Sequence, residues 1–362
     1  MPRARTSKPL SDAGGVTQHL VLQEIAVETN PGHLRMLGFT PPALPRRAPL
    51  VVVLHGCTQT VASYDRGAGW TTLAARHDFA VLYPEQRRAN NQNGCFNWFE
   101  AGDTRRGAGE VASIAAGVAA MVALHGLDPT RVFVTGLSAG GAMAAACLAA
   151  YPDIFAGGAI IAGLPYGGVS GVPAALGAMQ SPPTTDARML GDAVRRASGY
   201  SGPWPRVSIW HGVADRTVNA KNGDALIAQW LDVHAITASP SVLMVEGRDQ
   251  HRVWSNAAGV PVVELHRIDG MAHGTPLDAG SDGSAAGPFM LDVGVASSAE
   301  IAAFWGIAYR PARRPHTAAA KAAPPASVKP AATEAAAKPA RGGGLDIGKV
   351  IHDALHTAGL LR

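Results

Sequence analysis

Short runs rich in β-branched residues alternate along the chain with longer helical patterns, the rhythm of parallel strands joined by crossover helices. Strands are predicted at Val51–Leu54, Ala80–Tyr83, Val132–Thr135, Ala159–Ala162, Val207–Trp210 and Val262–Ile268. Several are apolar at nearly every position, as strands covered on both faces must be. Helical spacing is predicted at Val111–His125, Ala139–Ala150, about Lys221–His234 and Ser298–Trp305. The expected fold class is α/β, a mostly parallel central sheet with helices on both faces.

This pattern divides the 362 residues into a flexible N-terminus (1–19), one α/β domain (20–308), an Ala/Pro/Lys linker (309–344) and a short amphipathic helix (345–362). Within the domain, 163–205 is Gly-, Pro- and Ser-rich apart from a helical pattern near Ala187–Ala197, and is too long for a simple connection. It reads as a small lid or rim, with a surface decoration as the alternative. In the last segment Ile347, Val350, Ile351, Ala354 and Leu355 fall at helical spacing, with Asp346 as N-cap and Gly359 as stop. So short a helix needs a surface: this chain, a partner or an apolar granule.

Composition removes several function classes. With 47% apolar and 16% charged residues the chain is not disordered throughout. Its net charge of +4 comes from the ends, since 309–362 hold nine Lys/Arg against three Asp/Glu and the first ten residues add Arg3, Arg5 and Lys8. The core is net negative, which argues against nucleic acid as its partner. No uninterrupted apolar stretch reaches ~18 residues, so no transmembrane segment is expected. Residues 1–20 lack the apolar run of a Sec-type signal, which by sequence alone predicts a cytoplasmic protein. Three cysteines, Cys57, Cys95 and Cys147, permit at most one disulfide.

The chemistry is concentrated where Val132–Thr135 runs into Gly136-Leu-Ser-Ala-Gly140 and then directly into an Ala-rich helix. A G-x-S-x-G between strand and helix is a nucleophile elbow, which lifts the Ser138 hydroxyl at the sheet's edge; the competing reading is an ordinary helix N-cap. A hydroxyl needs a base and an orienting acid, in the chain order Ser, Asp, His for an α/β-hydrolase. Strand Val207–Trp210 ends in His211-Gly-Val-Ala-Asp215, which puts Asp215 in a loop at a strand's carboxyl end. Asp232 and Asp249 lack that placement, and His211 reads as structural. Strand Val262–Ile268 ends in Asp269-Gly-Met-Ala-His273-Gly, so His273 is the candidate base, ahead of His266 within the strand and His251 in a polar segment before it. Asp269 reads as a turn residue. The backbone N–H groups of Ala139 and of Cys57, in the loop Leu54-His-Gly-Cys-Thr-Gln59, are the expected oxyanion donors. No His/Cys spacing suggests a metal, and no cofactor is required.

Taken jointly, Leu54-His-Gly-Cys-Thr-Gln59, Tyr83-Pro-Glu-Gln86, Cys95-Phe-Asn-Trp-Phe99, Gly136-Leu-Ser-Ala-Gly-Gly141, Trp210-His-Gly-Val-Ala-Asp215 and Gly270-Met-Ala-His-Gly274 resemble the polyhydroxybutyrate depolymerase family of esterases. That family is a branch of the α/β-hydrolases that also includes feruloyl and acetylxylan esterases. The resemblance implies a Ser/Asp/His esterase acting on short hydroxyacid polyesters or on bulky ester side groups. It also implies a Cys57–Cys95 disulfide, with Cys147 a buried thiol behind Ser138; two reduced thiols are the alternative in a reducing compartment. Trp98 and Phe99 are candidates for the acyl pocket, with core packing the favoured reading for Phe99. Family members are often extracellular and carry an added binding module, and neither an export signal nor a β-rich module is visible. A granule-binding protein with a weak hydrolase domain is the reading from another class.

Overall fold

The computed structural model of the chain describes residues 21–182, 186–279 and 283–309. The N-terminal segment 1–19, the linker and the terminal amphipathic helix expected from the sequence lie outside these, apart from residue 309. Twelve strands run β1 (Gln23–Glu24), β2 (Arg35–Phe39), β3 (Leu50–Leu54), β4 (Ala80–Glu85), β5 (Val132–Leu137), β6 (Gly157–Ile161), β7 (Arg206–Gly212), β8 (Val242–Glu246), β9 (Asp249–Ser255), β10 (Pro261–Ile268), β11 (Thr275–Leu277) and β12 (Met290–Asp292). The helices are α1 (Val61–Ala68), α2 (Trp70–His77), α3 (Ala101–Thr104), α4 (Gly109–His125), α5 (Ala139–Ala150), α6 (Val172–Gln180), α7 (Ala187–Ser198), α8 (Lys221–Val233) and α9 (Ser297–Phe304).

Ten strands form one sheet in the order β1-β2-β4-β3-β5-β6-β7-β10-β9-β8. From β4 through β10 neighbouring strands are parallel; β1, β2, β9 and β8 join antiparallel at the two flanks. The period-2 geometry of a strand splits the core into two layers. On β3, Leu50, Val52 and Leu54 meet the side holding α4, α5 and α8, whereas Val51 and Val53 meet α1, α2 and α9. Helix α5 has all twelve residues buried, which explains its run of Ala: larger side chains would not fit between sheet and helices.

The flanking strands and four helices (α1, α2, α3 and α6) were not expected from the sequence. Helices α1 and α2 are separated by Gly69 in the left-handed region (φ 72°), and α1 opens on a Thr60/Ser63 capping box. His251, read as part of a polar segment, lies inside strand β9, buried. Its polarity hid the strand. At the outer edge, β8 exposes all five residues, among them Leu243 at 67% and Val245 at 69%. The run Ala101–His125 has the length and apolarity of a membrane span by composition. Here it is α3 and α4, interrupted at residues 105–108, with α4 packed on β4 and α5 and carrying the buried Glu110.

Glu110 organises the region behind β4. The Gln86 side-chain amide donates to its Oε1 and, at 3.0 Å, to the Cys95 carbonyl, while the Asn97 N–H donates to Oε2 at 2.9 Å. Burial and the neighbouring Asp103 outweigh these donors and push the Glu110 carboxyl up to about 8. A carboxyl that holds its proton more tightly folded than unfolded contributes stability at low pH, and loses it as pH rises from the ordinary carboxylate range through 8.

Two predictions follow from packing and burial. Gly140→Ala places a Cβ against the carbonyls of Leu54 and His55, backbone that cannot step aside, and should cost about 1–3 kcal/mol by urea unfolding. Glu110→Gln should flatten stability between pH 5 and 8, removing a downward slope of at most about 1.4 kcal/mol per pH unit; parallel slopes in both proteins would refute the assignment.

Candidate active site

Ser138 stands at the β5–α5 junction with φ 58° and ψ −117°, a conformation that L-residues adopt only at a cost of about 1–3 kcal/mol. The turn is held from several sides. The Ser138 N–H donates to the Ile161 carbonyl at 2.9 Å, and a Cβ on Gly136 would strike the Gly140 backbone. Ser138 occupies the N-cap position of α5, but its side chain makes no capping hydrogen bond. Its hydroxyl is left for other work.

Asp215 follows β7 in a tight loop. Its Oδ1 accepts the N–H groups of Thr217 and Val218 at 2.8 and 2.9 Å, and its Oδ2 accepts from His273 Nδ1 at 2.7 Å. Burial alone would raise the Asp215 carboxyl; the facing His273 and the hydrogen bonds from His211 and His273 outweigh it and hold the group well below the usual carboxylate range. His211 Nε2 lies 2.8 Å from the Val218 carbonyl, which can only accept, so this nitrogen carries the proton. The same nitrogen is 3.5 Å from Asp215 Oδ2, so His211 braces the acid's loop.

An ionised Asp215 beside His273 Nδ1 fixes the proton on Nδ1 and leaves Nε2 as the basic nitrogen. His273, 3% exposed, shares with Ser138 a small cleft whose other walls include Gly56, Cys57 and Phe289. No direct hydrogen bond joins the serine hydroxyl to the ring among those formed by the described residues, a looseness common before substrate is bound. Phe289 lies edge-on to the His273 ring at 6.1 Å between centroids. No motif in the sequence marked Phe289 for this position.

The loop after β3 supplies the facing wall. His55 Nε2 accepts the Gln86 N–H at 3.1 Å, so the ring donates from Nδ1, to the Gly56 carbonyl at 2.8 Å. Burial lowers the His55 pKa, in keeping with this neutral ring. A trans peptide is planar with C=O and N–H opposed. Tethering the Gly56 oxygen through His55 and the Gln59 N–H therefore turns the Cys57 N–H the other way. Cys57 is joined to Cys95 by a disulfide, and Thr58 N–H donates to the Asn93 carbonyl at 2.7 Å, which ties the loop to the 91–97 segment. The Ala139 N–H, at the first turn of α5, has no partner within its helix. Cys147 is a buried free thiol on that helix, its pKa pushed up by burial.

Ser138 and Cys57 also border a second, apolar cleft. Trp98 and Phe99, packed edge to face at 5.7 Å, form one wall, so Phe99 both lines the cleft and is buried. Helix α6 forms another through Val172, Leu176 and Met179. The stretch read from sequence as a rim thus holds a wall helix, α6, and a helix packed on α8, α7. An Ala-rich run with Pro173 at its start was a helix signal.

Of the remaining candidates, His266 and Asp249 pair with each other at 2.8 Å, buried within the sheet. With Glu264 and His251 they form a buried cluster; the ligand atoms of His251, Glu264 and His266 all lie within 4.8 Å of one another. A cation there would need both imidazole lone pairs, which lie in the ring planes. The two rings are stacked 4.0 Å apart at 13°, so an ion in one plane is out of the other.

Residues 35–251 match the model of the esterase PHB depolymerase family. The chain is 46% identical over 283 residues to poly(3-hydroxyalkanoate) depolymerase C of Paucimonas lemoignei, covering 77% of this chain and 68% of that protein. It is 33% identical over 258 residues to an acetylxylan esterase of Coprinopsis cinerea, covering 68% and 67%. Among solved structures, the acetyl xylan esterase from Aspergillus awamori superposes with a TM-score of 0.67 at 24% identity, over 80% of this chain and 100% of that one. The sheet and its helices are those of an α/β-hydrolase, and the chain belongs to the esterase PHB depolymerase family of carboxylic ester hydrolases.

Proposed function

We propose that the protein hydrolyses esters through Ser138, His273 and Asp215. The observation that carries this reading is the His273–Asp215 pair facing the strained Ser138 across one small cleft. His273 Nε2 takes the hydroxyl proton as Ser138 Oγ bonds to the ester carbonyl carbon. The resulting oxyanion is held by the N–H groups of Cys57 and Ala139. Collapse breaks the bond to the alcohol, which leaves with the proton carried by His273. Water, deprotonated by the same ring, then attacks the acyl-enzyme and releases the acid and the free serine. Asp215 keeps the imidazole in the required tautomer and stabilises its cationic form.

The acyl group belongs in the apolar cleft between Trp98 and α6, which offers shape and apolar surface but few polar partners. That character, together with the 46% identity to a polyhydroxyalkanoate depolymerase, favours short hydroxyacid polyesters or their oligomers. Acetylated xylan is the second reading, supported by the 33% identical relative.

Ser138→Ala should lower turnover of a short p-nitrophenyl ester by about 10⁴- to 10⁶-fold, and retained activity would exclude Ser138 as the nucleophile. Asp215→Asn should cost about 10⁴-fold in kcat while binding persists, measured at saturating ester. For substrate class, initial rates on hydroxybutyrate oligomers should exceed those on acetylated xylan and feruloylated sugars, and the reverse order would overturn the polyester assignment. Particle binding by a variant lacking residues 309–362 tests the granule reading: undiminished binding removes the tail from it.

A further inference from the structure

Three adjacent strands, β7, β10 and β9, carry a ladder of rings at one level of the sheet. Trp210, His266 and His251 are register partners across them. The His266 ring lies 3.6 Å from Trp210 at 3° and 4.0 Å from His251 at 13°, so it is clamped on both faces. In its plane, Nδ1 meets Asp249 Oδ2 at 2.8 Å and Nε2 faces Glu264 Oε1 at 3.5 Å. Glu264 also receives Ser208 Oγ–H at 2.6 Å and lies 3.0 Å from His251 Nε2, and Trp210 Nε1–H donates to Ser208 Oγ at 2.7 Å. All six side chains are buried. Burial opposes charge on this ring, but Glu264 and Asp249 outweigh it and lift His266 to about 9. Such a charged group in a core is costly to build, and apolar residues could hold three strands together without it.

What lies above the ladder gives it a purpose. Both loops of the acid and base leave these strands within a few residues. Asp269 N–H donates to the Arg248 carbonyl at 2.7 Å, beside Asp249, and Val213 N–H donates to the Ile268 carbonyl at 3.0 Å. Ala214 N–H donates to the Met271 carbonyl at 2.9 Å, and Gly212 packs so closely on Met271 and Ala272 that a Cβ would clash with both carbonyls. The loop bearing Asp215 and the loop bearing His273 are thus bonded to each other and to the β8–β9 turn. A shift of β10 against β7 or β9 moves one catalytic group relative to the other.

We propose that His266, held by Asp249 and the Trp210–His251 clamp, is a positioning residue that sets the separation of His273 and Asp215. The inference rests on the catalytic roles proposed above. Directional bonds to a clamped ring fix strand offset in a way that apolar packing, tolerant of small slides, does not.

The test compares Asp249→Ala with the conservative Asp249→Asn in the full chain, at a temperature where thermal unfolding shows both folded. Asp249→Ala should lower kcat on a soluble p-nitrophenyl ester by about 10- to 100-fold with KM little changed. It should also shift or abolish the low-field proton resonance of the His273 Nδ1–H bonded to Asp215. Asp249→Asn, which can still accept from His266, should restore both. Wild-type kcat and an unmoved resonance in folded Asp249→Ala would overturn the proposal. If that variant does not fold, Ser208→Ala, which removes the brace on Glu264 and the acceptor of Trp210 Nε1–H, is read by the same two measurements, and no change in either overturns it. The resonance does not depend on Ser138, so an active Ser138→Ala would refute the nucleophile without altering this readout.

Discussion

The close approach of α5 to the sheet is the constraint from which the rest of the site is built. Backbone meets backbone there: Gly136 packs on Gly140, Gly140 on the carbonyls of Leu54 and His55, and Gly141 on those of Ile161 and Gly136. No side chain fits between them, so the helix must start with one residue between it and the strand, and that residue, Ser138, takes up the strained turn. The same contact brings the start of α5 beside the loop after β3, so that Ser138, Ala139 and Cys57 border one cleft. Strain at one residue is repaid by the packing of a wholly buried helix.

Polar groups in the interior are arranged to hold loops rather than to add stability. His55 is tied to Gln86 and to the Gly56 carbonyl, which orients a peptide plane in the loop after β3. Gln86 reaches Glu110 and the Cys95 carbonyl, so the disulfide partner of Cys57 is held from the opposite side. On the other half of the sheet, the His266 cluster lies on the strands that lead into the loops of Asp215 and His273. Each network is buried, and each ends within a few residues of a catalytic candidate. Desolvation makes such networks expensive, and their hydrogen bonds are directional.

Legibility in the sequence followed burial pattern. The six parallel strands could be read because both of their faces are covered and each holds a run of apolar or β-branched residues, even where β7 and β10 also carry polar ones. Strand β9 could not, since Asp249 and His251 look like loop residues until Glu264 and His266 stand opposite them. Strand β2 contains Gly38 and shows no clean alternation, and α6 was masked by the glycines around it. At the site, Ser138, Asp215 and His273 were marked by glycine-rich turns at strand ends. Phe289, Leu176 and Met179 were not, because a wall residue needs only to be apolar, and any apolar residue looks the same in sequence.

By itself the sequence determined the kind of fold, the elbow and the order of the three catalytic candidates, since each depends on local backbone geometry or on hydrophobic period. Tertiary structure alone decided which nitrogen of His55, His211 and His273 carries a proton, because tautomers are set by partners distant along the chain. It also decided that Asp249 serves His266 and Asp215 serves His273. Which aspartate meets which histidine is set by where the strands end, and strand pairing is a long-range property that no local pattern encodes.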